Sequence, residues 1–269
     1  MKLPSKTRPT ASAFLLIIAA LTLACVALRS CALLFAFDAK IGYFAPGAIT
    51  VLLYILQVLA VVCCIALPFL INNSPSASAS AAPSLAATVG SILTALALLT
   101  VAIITAVQGT TFSAPPLVCI LSTAFSLFGA ICFLLPFLHL KPHTAVLFYY
   151  AAILAFILLL AVTYFDRYVQ MNAPHKVSQH LALLAAALAL IAKARALIGC
   201  EKPLLTALSH PLAFLLCASC GAPNLVAFLA GSYVDTFYLS IDLLTLAAAV
   251  YFGAHTFAVY SSIPDKEVV

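Results

Sequence analysis

The sequence predicts an all-α protein, a bundle of about eight helices that crosses a membrane repeatedly. Apolar residues make up 65% of its 269 residues and charged residues only 7%, whereas a soluble domain has about 25% charged residues. From Ile41 to Leu140 the chain contains no Asp, Glu, Lys or Arg. A soluble fold of this composition would have too little polar surface to face water, so soluble, disordered and collagen-like chains are excluded.

Polar residues, prolines and glycines divide the apolar sequence into eight segments. Each is long enough for a helix that crosses about 30 Å of hydrocarbon, which requires about 20 residues. In chain order, the predicted spans are residues 12–36, 47–71, 84–108, 116–139, 144–165, 178–199, 204–231 and 236–261. Because the segments are continuously apolar, they favour helices over the alternating strands of a β-barrel. Residues 1–269 are therefore expected to form a single transmembrane domain.

The first segment has some features of a secretory signal peptide. Basic residues precede its apolar run, and the sequence from Thr22 to Cys25 is similar to a lipoprotein cleavage site. The apolar run continues past Arg29 to Phe37, however, and the apolar region of a signal peptide has about 7–15 residues. We therefore expect a retained first helix.

The distribution of lysine and arginine between the two ends of the spans predicts the orientation, because cytoplasmic loops carry an excess of these residues. If the amino terminus is cytoplasmic, eight of them lie on the cytoplasmic side: Lys2, Lys6, Arg8, Lys141, Lys193, Arg195, Lys202 and Lys266. Four lie on the outer side: Arg29, Lys40, Arg167 and Lys176. The count favours both termini in the cytoplasm.

Two features concern the organisation of the chain. Residues 72–83 are rich in serine and alanine and uncharged, which is typical of a flexible loop. Aromatic–acidic pairs close the first and fifth spans, Phe37-Asp38 and Phe165-Asp166, 128 residues apart. This offset would fit a tandem duplication of four spans, residues 1–128 and 129–269. A chance coincidence of two similar span ends is the alternative.

Arg29 and Asp242 are predicted to lie at equal depth within the membrane. A charged side chain in the middle of a span costs about 2.5–3.5 kcal/mol on insertion scales, so each such residue needs a reason. Arg29 precedes the outer end of the first span by about seven residues, and Asp242 follows the outer end of the eighth by about six, or roughly 9–10 Å. We expect both side chains to face the bundle interior and to interact. Lys193 and Arg195, by contrast, lie near a span end and are expected to reach the headgroups.

The seventh span contains an unusual segment, in which Gly221, Pro223 and Asn224 lie near the same depth as Arg29 and Asp242. Proline removes a backbone hydrogen bond and clashes with the preceding turn, so the segment predicts a kinked or interrupted helix. Interrupted helices form the substrate sites of many transporters. An ordinary kink is the alternative. With Asp38 at the outer end of the first span, these residues predict an outward-facing vestibule that binds a substrate or an ion.

Motifs for catalysis or cofactor binding are absent from the sequence. There is no glycine-rich phosphate loop, no His-Glu-x-x-His zinc pair and no Gly-x-Ser-x-Gly nucleophile turn. Most of the nine cysteines fall inside spans, where free cysteine behaves as a small apolar residue. We therefore expect no cofactor and no bound metal, and an enzyme is less favoured than a non-enzymatic membrane protein.

Two stretches of the sequence resemble known proteins. They are Leu28-Arg29-x-x-x-Leu33-Leu34-x-Ala36-Phe37-Asp38-x-x-x-Gly42-Tyr43-Phe44 and Asn172-Ala173-Pro174-x-Lys176-x-x-x-x-Leu181-Ala182-Leu183-Leu184. Both are similar to segments of a group of uncharacterised bacterial integral membrane proteins. The resemblance covers about a fifth of the chain; it implies the cytoplasmic membrane of a bacterium and carries no known activity.

The leading functional interpretation is a small permease or channel-like transporter of a solute or ion. In it, Arg29 would hold an anionic group or neutralise Asp242, and Asp242 would bind a proton or a cation. The alternative is a non-catalytic subunit, sensor or scaffold in which the two residues form a structural pair. The lipid bilayer is the expected partner, with another membrane protein or a second copy as a further candidate; no nucleic acid is expected.

Overall fold

The computed structural model describes residues 11–38, 42–70, 84–109, 114–138, 140–166, 169–170, 172–231 and 236–261. Within these ranges the chain forms eight long helices: α1 (Ala11–Phe35), α2 (Ala48–Leu70), α3 (Leu85–Gln108), α4 (Pro116–Leu138), α5 (Pro142–Phe165), α6 (Pro174–Leu197), α7 (Pro203–Leu229) and α8 (Thr236–Ser261). All eight are long and apolar enough to cross a membrane. The predicted fold class, an all-α polytopic bundle, is therefore confirmed. The predicted flexible loop at 72–83 lies outside the described residues.

Four of the helices begin at a proline: α4, α5, α6 and α7. Proline suits the first helical position because its φ is already helical and its missing N–H would have no partner there. At Pro174 this moves the start of α6 four residues ahead of the predicted boundary. Lys176, which the sequence places in an outer loop, therefore lies in the first turn of α6.

A short antiparallel hairpin follows α1, and the sequence did not indicate it. Strands β1 (Phe37–Asp38) and β2 (Tyr43–Phe44) pair Phe37 with Phe44 and Asp38 with Tyr43. Gly42, in the turn, has a φ of +71° and donates its N–H to the Asp38 carbonyl. A left-handed φ of this kind favours glycine.

Contacts between helix ends show which ends lie on the same side of the bundle, and they fit helices that alternate in direction along the chain. The start of α1 meets the end of α8, where the Phe14 and Tyr260 rings lie 4.2 Å apart. At the other side of the bundle, the end of α3 meets the start of α8 through a hydrogen bond from Gln108 to Thr236. We call the side with the start of α1 the terminal face. The opposite side, with the α1–α2, α3–α4, α5–α6 and α7–α8 connections, is the distal face.

Helices α7 and α8 form the centre of the bundle. α7 packs against α1, α2, α6 and α8, while α8 packs against α1, α3, α6 and α7. α8 is the most buried span and α2 the most exposed. At Gly221 of α7 the two central helices come very close, since a Cβ added to this residue would lie only 2.5 Å from the Asp242 carbonyl oxygen and 2.6 Å from the Leu246 nitrogen.

The predicted interruption of the seventh span is wrong, because α7 is continuous from Pro203 to Leu229 with Pro211 and Pro223 inside it. Gly221 and Pro223 are both buried within the helix. Proline removes a single backbone hydrogen bond, and packing against neighbouring helices can hold a transmembrane helix together at such a position. Gly221 is required for close packing on α8 and not for a break in the backbone.

Candidate functional site

Arg29 and Asp242 are both buried inside the bundle, with 4% and 0% of their surfaces exposed. Arg29 lies six residues before the end of α1, and Asp242 lies six residues after the start of α8. At 1.5 Å per residue, each is about 9 Å below the distal end of its helix. Both side chains therefore face the interior, as the sequence predicts, and each lies the same number of residues from the distal end of its helix.

Asp242 accepts hydrogen bonds from two buried side-chain amides. Gln179 of α6 donates through Nε2 to Oδ1 at 2.8 Å, and Asn224 of α7 donates through Nδ2 to the same oxygen at 2.9 Å. The second carboxylate oxygen, Oδ2, lies 3.8 Å from Nε2 of His175. The carboxylate is thus in contact with side chains of α6 and α7.

Arg29 is held by the first turns of α6. Its Nη2 donates to the Ser178 hydroxyl at 2.7 Å and to the Pro174 carbonyl at 3.2 Å. The Ser178 oxygen lies 3.6 Å from the Cys220 sulfur, which in turn lies 3.9 Å from Asp242 Oδ1. A chain of polar groups therefore connects the two charges. We call Arg29, His175, Ser178, Gln179, Cys220, Asn224 and Asp242 together the distal polar cluster.

Helical spacing explains how α6 and α7 present these groups. His175, Ser178 and Gln179 are three and four residues apart, and Cys220 and Asn224 are four apart, so each set lies on one face of its helix. The sequence-based prediction includes Asn224 but not the α6 residues. Their spacing was a usable signal, but only Ser178 and Gln179 fall inside the predicted sixth span, whereas His175 lies in the connection predicted before it.

Arg29 also lines a cavity of about 540 Å³ between α2 and α6. Asp242 does not belong to its wall. This cavity reaches Arg29, whereas Asp242 is enclosed by side chains of α6 and α7. The predicted vestibule with both charges at its floor stays a prediction.

Some polar atoms of the cluster have no hydrogen-bond partner among the described residues. They are Arg29 Nε, Gln179 Oε1 and Asn224 Oδ1, all buried. Buried polar atoms are nearly always paired in folded proteins. Among the described residues, the cluster thus has an unpaired donor at Arg29 and unpaired acceptors at Gln179 and Asn224.

Asp38, Asp166 and Lys176, which the sequence assigns to the outer loops, differ in burial and in hydrogen bonding. Asp38 is exposed in β1 and lies outside the cluster. Asp166 is buried and accepts a hydrogen bond from the Tyr238 hydroxyl. Lys176 is also buried, donating through Nζ to the Asp166 carbonyl at 2.7 Å and to the Val169 carbonyl at 3.1 Å. A cation near carbonyls at the end of α5 is favourable because they carry the negative end of the helix dipole.

Lys193 was expected to reach the lipid headgroups, but its ammonium group contacts side chains of α8 instead. Its Nζ lies 2.7 Å from the Tyr251 hydroxyl and 2.7 Å from His255 Nε2. The His255 ring lies 6.2 Å from that of His210, although the sequence gives no sign that these two histidines meet. We call Lys193, His210, Tyr251 and His255 the terminal polar cluster.

Comparison with known proteins gave no match: no protein-family description, curated protein or solved structure corresponds to this chain. The resemblance to bacterial membrane proteins, and with it the expected bacterial membrane, therefore stays a prediction.

Proposed function

We propose that the protein is a permease for an anionic substrate, with Arg29 as the anion-binding residue and Asp242 as a proton site. The proposal is supported mainly by one feature, the distal polar cluster, in which two opposite charges are buried at the same membrane depth. Ionisable residues within spans are costly and, where they occur, usually mark substrate or ion routes.

The anion-binding role of Arg29 is supported by its surroundings. Its guanidinium group lines the 540 Å³ cavity, and its hydrogen bonds among the described residues go to a hydroxyl and a carbonyl, which are neutral. Arginine can bind a carboxylate or a phosphate through two parallel N–H donors. An anion in the cavity would supply the negative charge that these neutral acceptors lack.

The proton-binding role of Asp242 is supported by His175. Both amide nitrogens at Oδ1 can only donate, so this oxygen accepts from them in either protonation state of the carboxyl group. Oδ2 faces the His175 imidazole, and the His175 side chain is 12% exposed whereas that of Asp242 is fully buried. His175 would therefore transfer protons between Asp242 and the distal face, since histidine exchanges protons near neutral pH.

The rival interpretation is a non-catalytic subunit in which the cluster only holds α1, α6, α7 and α8 together. It expects the same burial and the same hydrogen bonds, but no movement of solute. A measurement of transport distinguishes the two.

The experiment uses the purified protein in liposomes and two anionic probes. The first arm follows uptake of inorganic phosphate, with internal pH recorded by a dye. The second follows transfer between leaflets of phosphatidylglycerol with a fluorescent headgroup label. We expect transport in at least one arm, together with proton movement, and a loss of about tenfold or more in Asp242→Asn and Arg29→Gln.

Thr256→Val is the matched control, because Thr256 is also a buried polar residue of α8 but bonds to Phe252 of its own helix near the terminal face. Its transport rate should equal that of the unaltered protein. Absence of transport in both arms, or rates that neither cluster variant reduces, would refute the permease and leave the structural subunit.

A further inference from the structure

The cavity at Arg29 is part of a groove that faces the lipid. α2 packs on α1 and α7, and α6 packs on α5, α7 and α8, so a gap remains between α2 and α6. Residues on both rims are well exposed, including Val58 on α2 at 64% and Leu181 on α6 at 48%. Leu216 and Ser219 of α7 line the groove as well.

The polarity of the groove changes with depth. Near the distal end, the polar residues Tyr43, Tyr54, Asn172 and Ser178 line it together with Arg29. Further from that end most of the lining is apolar, with Val58, Val61, Val62, Leu181 and Leu216, while Gln57 and Ser219 add two neutral polar side chains. Counting from the start of α2 at 1.5 Å per residue, Tyr54 lies about 9 Å deep and Val61 about 20 Å deep.

Arg29 provides the one strong charge in this lining. Its Nη2 is held by Ser178 and Pro174, which fixes the orientation of the guanidinium plane. Its Nε is buried and has no hydrogen-bond partner in the part of the chain that the structure describes. A fixed guanidinium with an unused donor is suited to an anion that binds from the groove.

We propose that the groove binds a membrane lipid with an anionic headgroup. The headgroup interacts with Arg29, and an acyl chain lies along the apolar lining between α2 and α6. The cationic distal end of the groove matches the headgroup of such a lipid, and the apolar lining beyond it matches an acyl chain. A small soluble anion has no part that would bind to the apolar lining. This inference rests on the proposed function in one respect, since it names an anionic lipid as the substrate class of the permease.

The chain contains no tryptophan, so a single introduced tryptophan can report which lipid occupies the groove. Val58→Trp places the reporter in the groove about 15 Å from the distal end of α2. Leu127→Trp is the matched control, because Leu127 is exposed on α4 at about the same depth and does not line the groove. Each variant is reconstituted in phosphatidylcholine vesicles containing phosphatidylglycerol, with brominated chains on one lipid or the other to quench nearby tryptophan.

At the groove reporter we expect phosphatidylglycerol to be preferred over phosphatidylcholine by about fivefold to tenfold, as a charge-assisted hydrogen bond would give. The Leu127→Trp reporter should show little preference. Adding Arg29→Gln to Val58→Trp should reduce the preference to the control value, and inorganic phosphate should not relieve the quenching.

Equal preference at the two reporter positions would overturn the lipid site without any need for the Arg29 variant. A preference that survives Arg29→Gln, or that inorganic phosphate abolishes, would also overturn it. The outcome is separable from that of the transport assay: a lipid preference without transport would refute the permease alone, and transport of phosphate without lipid preference would refute the lipid alone.

Discussion

Asp242 is buried at membrane depth because neighbouring helices supply the hydrogen bonds that water would otherwise provide. A carboxylate within a span is costly by about 2.5–3.5 kcal/mol, and here Gln179 and Asn224 both donate to it. Neither donor can be recognised from the sequence around Asp242, because both belong to other helices. The charged residue and the depth of Asn224 were predictable, whereas Gln179 and the hydrogen bonds themselves depend on how α6 and α7 are rotated toward α8.

The hydrogen bond between Asn224 and Asp242 should appear as a coupling energy. Interhelical hydrogen bonds in membrane proteins contribute about 0.6 kcal/mol on average and up to about 1.7 kcal/mol. A double-mutant cycle of Asn224→Ala and Asp242→Ala, measured by unfolding in mixed detergent micelles, should give about 1 kcal/mol. A cycle that pairs Asn224→Ala with Thr256→Ala should give less than about 0.5 kcal/mol. Equal couplings in the two cycles would show that the contact contributes no specific stability.

Lys193 should contribute to stability although it lies near the end of a span. Removing its ammonium group in Lys193→Met deprives the Tyr251 hydroxyl and His255 of a partner, which should lower the free energy of unfolding by about 1–3 kcal/mol. Lys141→Met is the control, because Lys141 is exposed immediately before α5, and it should change stability by less than about 0.5 kcal/mol. If thermal unfolding shows the same effect for both, Lys193 lies among headgroups as its position in the sequence suggested.

At the scale of the helices, close packing of α7 on α8 determines how Asn224 and Cys220 meet Asp242. Gly221 lies against backbone atoms of α8, where even a methyl group would come within 2.6 Å of the Leu246 nitrogen. Backbone atoms cannot move aside as a flexible side chain can. The position of Gly221 next to Cys220 therefore links the packing of the two helices to the geometry of the distal polar cluster.

Gly221→Ala should separate α7 from α8 and destabilise the protein by about 1–3 kcal/mol, the cost of overpacking a well-packed interior. It should also reduce any transport, because Asn224 would be displaced from Asp242. Gly47→Ala is the control: apart from its chain neighbours, no atom of the described residues lies within 4 Å of the added methyl group, so its melting temperature should match that of the unaltered protein. Full stability of Gly221→Ala would mean that the helices are less closely packed than the structure shows.

The spans themselves were predictable, because each needs only a long apolar run between polar residues. The start of α6 was not, since Lys176 reads as a loop residue until its ammonium group is seen on the Asp166 and Val169 carbonyls. The hairpin after α1 has two residues in each strand, too few to show an alternating pattern. The continuity of α7 at Pro223 also could not be predicted, because it depends on packing from neighbouring helices.

Across the whole molecule, the polar groups of α6, α7 and α8 are concentrated near both membrane boundaries. Gln179 and Lys193 of α6 belong to the distal and terminal polar clusters, and their offset of 14 positions corresponds to about 21 Å along the helix. The buried residues of the intervening stretch of α6 are mostly alanine, including Ala185, Ala186 and Ala189. A substrate or proton that crosses must pass this apolar layer, so the proposed transport requires the helices to move against one another.

The orientation of the bundle can be tested with one natural and one introduced thiol. Cys200 is exposed in the connection between α6 and α7 on the terminal face, and Gly47 is exposed just before α2 on the distal face. Replacing Cys31 and Cys63 by alanine leaves Cys200 as the accessible thiol, since the remaining six cysteines are buried. A second variant adds Cys200→Ala and Gly47→Cys.

The excess of lysine and arginine on the terminal face predicts that this face is cytoplasmic. In intact cells, a membrane-impermeant maleimide should therefore label the Gly47→Cys variant, and it should label Cys200 only after the membrane is opened. The reverse pattern would contradict the positive-inside prediction but retain the alternation of the helices. Labelling of both thiols in intact cells would contradict the alternation itself, because α2 starts and α6 ends on opposite faces.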